Sequence, residues 1–112
     1  MTDTTVFEQM LELGKDNALL RFTLGSAFYR QARFDEAAEH LTQAVTYSPE
    51  YTAAWKMLGR TRLDAGLFEE AEKALQSGLQ SAAKNGDKQA EKEINVFLKR
   101  ARAGIKDGNN DG

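Results

Sequence analysis

Shifted by 34 residues, the middle of this chain falls on itself. Leu24-Gly25 meets Leu58-Gly59, and Phe34-Asp35-Glu36-Ala37 meets Phe68-Glu69-Glu70-Ala71. Leu41 meets Leu75, Ala44 meets Gly78, and Val45 meets Leu79. Small and large residues coincide at fixed offsets, which is the mark of a stacked array of helix pairs. One such pair cannot bury its apolar surface alone, so the ends of the array need caps.

Apolar spacing predicts about six helices in an all-α chain. The first runs from Thr4 to Leu13 and closes at Gly14. The second spans Asn17 to Gln31, with Asp16 or Asn17 as its N-cap. The third runs from Phe34 or Asp35 to Tyr47 and stops at Ser48-Pro49, because proline lacks an amide and restricts its predecessor. The fourth spans Tyr51 to Ala65, closed by Gly66, and the fifth spans Phe68 to Ala83. Asn85-Gly86-Asp87 reads as a turn followed by a cap, and the sixth helix runs from Lys88 to Ala103. Short links favour antiparallel neighbours. One domain is expected over residues 1–105, with a half-repeat helix at 4–14, repeats at 18–51 and 52–85, and a capping helix at 87–104. Residues 106–112 offer no apolar side chain and are expected to be a disordered tail.

The repeat resembles the tetratricopeptide family, whose pattern runs Trp, Leu-Gly, Tyr, Ala, an aromatic or similar residue, then Pro. The chain looks like a small bacterial-type member with two clear repeats and flanking helices. The first repeat supplies Leu24, Gly25, Phe28, Ala37, Leu41, Ala44 and Pro49; the second supplies Trp55, Leu58, Gly59, Ala71, Leu75 and Gly78. It departs from the pattern at Arg21, where Trp is usual, at Arg62, where Tyr is usual, and at Ala83, where Pro is usual. Gly25 and Gly59 sit mid-helix, where glycine costs ~1 kcal/mol, and a close helix approach is the reason expected for them. Ala37 and Ala71 are the small partners expected opposite them.

Composition narrows function. The chain is 41% apolar and 29% charged with a net charge of -2, so it can build a core and lacks the basic excess of a nucleic-acid binder. It has no cysteine, which removes disulfides, thiolate metal sites and Cys nucleophiles. No apolar run approaches the ~20 residues that span a bilayer. The N-terminus does not read as a secretory signal, and a cytoplasmic location is the expectation. No glycine-rich phosphate loop, HExxH or Ser–His–acid spacing occurs, so neither enzyme activity nor a cofactor or metal is expected. His40, the only histidine, reads as a surface or half-buried residue, and Trp55 as core or wall packing.

The resemblance implies protein–protein binding, with a groove lined by the first helix of each pair. Projected onto this sequence, the groove holds Phe22, Ser26, Tyr29 and Arg30 from one repeat and Lys56, Met57, Arg60 and Leu63 from the next. Basic groups beside aromatics suit an acidic peptide. A chaperone-type carboxylate clamp is not implied, because Phe22, Ser26 and Met57 stand where its Lys and Asn residues would be. The alternative is self-association through an end helix, giving a homodimer.

Overall fold

The computed structural model describes residues 4–110. Among these residues the chain forms six helices and no strand: α1 (Thr5–Glu12), α2 (Ala18–Arg30), α3 (Phe34–Tyr47), α4 (Thr52–Asp64), α5 (Phe68–Asn85) and α6 (Lys88–Asn110). The helix starts follow local chemistry. Asn17 Oδ1 accepts the Leu20 amide at 2.8 Å, and Asp87 Oδ1 accepts the Ala90 amide at 3.0 Å. Both carboxamide and carboxylate satisfy amides that the helix itself leaves unpaired.

Four helices stop in the same way. At Gly14, Ala32, Gly66 and Gly86 the backbone turns left-handed, with φ of 78°, 60°, 80° and 69°. The amide of the next residue then reaches back to a carbonyl in the last turn, as Arg33 does to Phe28 O and Leu67 to Arg62 O. Ala32 lies one repeat before Gly66 and holds the same conformation with a Cβ in place.

The pairs α2/α3 and α4/α5 pack antiparallel, and α6 lies against both α5 and α4. Their contact points are the mid-helix glycines. A Cβ at Gly25 would lie 2.5 Å from Leu41 Cγ and 3.2 Å from the Ala37 carbonyl oxygen. At Gly59 it would run into the side chain of Leu75. The knob that fills each notch is therefore leucine rather than the alanine expected, and the alanine contributes its backbone at Gly25. Leu24, Leu41, Leu58 and Leu75 are fully buried, as are Ile94 and Leu98 of α6. Apolar side chains form one core around α2, α3 and α4 and a second around α5 and α6. Burying each such leucine stabilises the fold by roughly 1.5–3 kcal/mol.

The sixth helix is longer than the sequence suggests. It does not end at Ala103; it continues to Asn110, so residues 106–110 are helical where a disordered tail is expected. A Cβ at Gly104 would lie 2.5 Å from the Phe68 ring, so its absence lets α6 lie on that ring. Half-buried Ile105 lines the same place and draws the last turns onto the start of α5. The expectation for residues 111 and 112 lies outside the described residues.

Candidate partner-binding groove

The first helices of the pairs, α2 and α4, share a face with α6. Phe22 and Tyr51 mark one end of the α2–α4 seam, with ring centroids 5.1 Å apart. At the other end the Tyr29 hydroxyl donates to Asp64. Between α4 and α6 lies an open depression of ≈ 270 Å³ lined by Lys56, Met57, Arg60, Glu93, Val96 and Phe97. Its floor is apolar, and Val96 is 59% exposed.

Charged groups close a ring around this floor. Lys56 Nζ lies 2.6 Å from Glu93 Oε1, an ion pair that crosses from α4 to α6. Hydrogen bonding from Lys56 holds the Glu93 carboxyl below the usual range. Arg100 approaches Asp64 at 3.9 Å and lies 5.9 Å from the Phe97 centroid. The Arg60 guanidinium sits over Tyr29 at 5.2 Å and over Phe97 at 5.7 Å. Burial, then the bond to Asp64, pushes the Tyr29 hydroxyl up, so it stays protonated and donating at neutral pH. Cation–ring contacts of this kind contribute about 0.5–1 kcal/mol where exposed.

Of the eight residues expected in the groove, Lys56, Met57 and Arg60 line the depression and Tyr29 holds its Arg60 edge. Phe22 is half-buried at the Tyr51 end, and Arg30 is exposed outside the depression. Two expectations are corrected. Leu63 is only 5% exposed and belongs to the second core, where α6 covers this end of α4. Ser26 is 7% exposed, lying between Phe22 and Tyr29 on the stripe of α2 that meets α4. Its Oγ is buried without a hydrogen-bond partner among the described residues. Phe97 of α6 is half-buried: it packs against the second core and forms the groove wall with Val96 and Glu93.

The opposite side of α2 explains Arg21. Its Nε and Nη2 bond Asp16 at 2.8 and 3.0 Å, while Nη1 lies 3.0 Å from His40 Nδ1. A guanidinium only donates, so Nδ1 accepts and the imidazole proton rests on Nε2. Tyr47 adds a hydrogen bond to Asp16 at 2.6 Å, and the His40 ring stacks on Phe28 with centroids 5.4 Å apart. Where the repeat pattern expects a tryptophan, an ionic hinge thus ties the α1–α2 link to α3. Trp55, in the second repeat, keeps the wall position, with its indole N–H donating to Pro49 O at 2.8 Å.

Among the described residues no group of three or more His, Asp or Glu could hold a metal ion, and no helix is long and apolar enough to cross a membrane. Stacked antiparallel helix pairs, glycine notches filled one repeat apart and a face built from every first helix define a helical-repeat solenoid. The sequence pattern of the tetratricopeptide repeat matches residues 28–92. The chain is 50% identical over 93 residues to the TPR repeat-containing protein PA0015 of Pseudomonas aeruginosa, covering 83% of this chain and 89% of that one. The solution structure of protein BPP2914 from Bordetella parapertussis superposes with a TM-score of 0.78 at 43% identity, covering 92% of this chain and 90% of that one. The crystal structure of MamA shares the fold at a TM-score of 0.64 and 17% identity, covering 93% of this chain and 67% of that one. The chain belongs to the tetratricopeptide repeat family. Folds of this family serve generally as protein–protein interaction modules.

Proposed function

We propose that this protein is a non-enzymatic, cytoplasmic adaptor that holds a segment of a partner protein on the face of α2, α4 and α6. The observation that carries this reading is the apolar floor of Met57, Val96 and Phe97, left open between two helices and rimmed by charge. Val96 is exposed and Phe97 is only half-buried against the second core, and both lie where a bound chain would cover them. A groove of that form suits an amphipathic or extended peptide. Capture from the native host's lysate tests it, with wild type beside Val96→Asp, a substitution at an exposed site that leaves folding intact. Partners held by wild type and lost from the variant support the groove, and hydrogen exchange must then show α4 and α6 protected by the partner. Equal capture by both proteins sinks it.

Self-association through an end helix is the second reading, and exposed apolar side chains favour the first helix for it. Val6 on α1 and Leu13 at its C-cap are 60% and 73% exposed, and Leu19 at the start of α2 is 66% exposed. Sedimentation over a wide concentration range tests this reading. A single monomeric species throughout removes it.

A further inference from the structure

The groove contains three cations, and two are already engaged. Lys56 is paired with Glu93, and Arg100 with Asp64, which also accepts from Tyr29. Arg60 is exposed and makes no ion pair among the described residues. Its guanidinium is positioned by two rings, Tyr29 on α2 and Phe97 on α6. The Tyr29 hydroxyl is one hydrogen-bond neighbour of this guanidinium; with five N–H donors and no acidic partner among the described residues, the guanidinium can still meet a carboxylate with two parallel hydrogen bonds.

We propose, on the premise that this groove is the binding face, that Arg60 selects the partner by taking one Asp or Glu side chain of the bound segment. A neighbouring apolar side chain of that segment fills the depression between Met57, Val96 and Phe97. Lys56 is withheld from recognition by Glu93. A run of acidic residues is disfavoured, since among the described residues Arg60 is the one groove cation without an acidic partner and a second acid would have to displace Glu93 or Asp64 from its pair. The groove continues past Arg60 to the Asp64–Arg100 pair, so a segment that ran on beyond its acid would cover it, whereas a chain ending at Arg60 would not. This favours an internal acid over a free C-terminus.

The test starts from random 12-residue peptides displayed with blocked C-termini and selected on the immobilised wild-type chain. Enriched peptides are synthesised with free and amidated C-termini and titrated against wild type, Arg60→Gln, Lys56→Gln and Glu93→Gln. The expected consensus has one Asp or Glu beside an aliphatic or aromatic residue. Arg60→Gln should weaken binding about tenfold or more, the worth of one forked charge-assisted contact. Lys56→Gln should change it by less than about threefold, the scale of an exposed charge. Amidation should change nothing, and Glu93→Gln should strengthen peptides bearing a second acid. Equal losses from Arg60→Gln and Lys56→Gln overturn the proposal, as does a requirement for a free C-terminus. Peptides without acid that are lost on Val96→Asp overturn it while leaving the groove in place. Peptides indifferent to both Val96→Asp and Arg60→Gln, or no enrichment at all, overturn both readings. A sedimentation profile that shifts to monomer on Arg60→Gln assigns the seat to a second copy and likewise overturns it.

Discussion

Leu41 fills the space that Gly25 leaves open on the facing helix, 2.5 Å from where a Cβ would stand. The branch point of the leucine, not its flexible tip, would have to move. Alanine is the better helix former by ~1 kcal/mol, yet overpacking a closed core costs about 1–3 kcal/mol. Gly25→Ala should therefore lower stability by up to about 2 kcal/mol on balance. Gly108→Ala is the control: its Cβ would meet nothing within 4 Å, so helix propensity alone acts and stability should rise slightly. Urea midpoints read both. A stabilised Gly25→Ala would refute the notch as a close contact.

Ala32 carries a left-handed backbone that its counterpart Gly66 adopts without cost. For an L-residue this conformation costs roughly 1 kcal/mol, and the side chain is exposed, so nothing is lost by removing it. Ala32→Gly should raise stability by about 0.5–1 kcal/mol. An unchanged or lower thermal midpoint would contradict the shared closure of these two helices.

Ser26 places a hydroxyl in the α2–α4 seam with no hydrogen-bond partner among the described residues. A buried polar group left unsatisfied costs about 1–3 kcal/mol, and alanine has almost the same shape. Ser26→Ala should stabilise the fold by about 1 kcal/mol. Loss of stability in a denaturant titration would mean that the hydroxyl has a partner.

The Arg21 hinge should make stability depend on pH. Burial, then the charge of Arg21, lowers the His40 pKa from 6.5, against weaker raising by Glu39, Glu8 and Glu36. The unfolded chain then takes up the proton first. His40's contribution is complete above pH 6.5, declines as pH falls through 6.5 to the lowered folded value, and changes no further below it. His40→Gln should flatten the thermal midpoint across that window, while wild type loses stability. At lower pH a second loss should follow, because hydrogen bonding to Arg21 holds Asp16 at about 2 against 3.8 in a free chain. Solvent and salt screen this outer pair, so its share should stay below ~1 kcal/mol.

The helices, their register and the mid-helix glycines were legible from spacing alone, because repeat packing writes itself into small and large residues. The third wall of the groove was not. Lys56, Arg60 and Leu63 have their counterparts at Glu93, Phe97 and Arg100, 37 residues on rather than 34. The intervening α5 has 18 residues against 14 in α3, which carries α6 out of the repeat register. Leu63 and Ser26 were misjudged for a related reason. Each occupies a groove position on its own helix, but α6 and α4 respectively lie over it. Ala32 gave no signal, since nothing in a lone alanine announces a positive φ. The extension of α6 was hidden because Gly104, which reads as a helix breaker, is the residue that lets the helix settle on Phe68.

Leu58 and Gly59, which pack into the stack, lie on one side of α4, while Met57 and Arg60 lie on the other. Two selections therefore act on the same helix with little interference. The signature that defines the family can be inherited unchanged while the opposite stripe drifts to a new ligand. Kinship measured on the signature thus reports shared architecture, and the handful of groove positions is where relatives would diverge in what they hold.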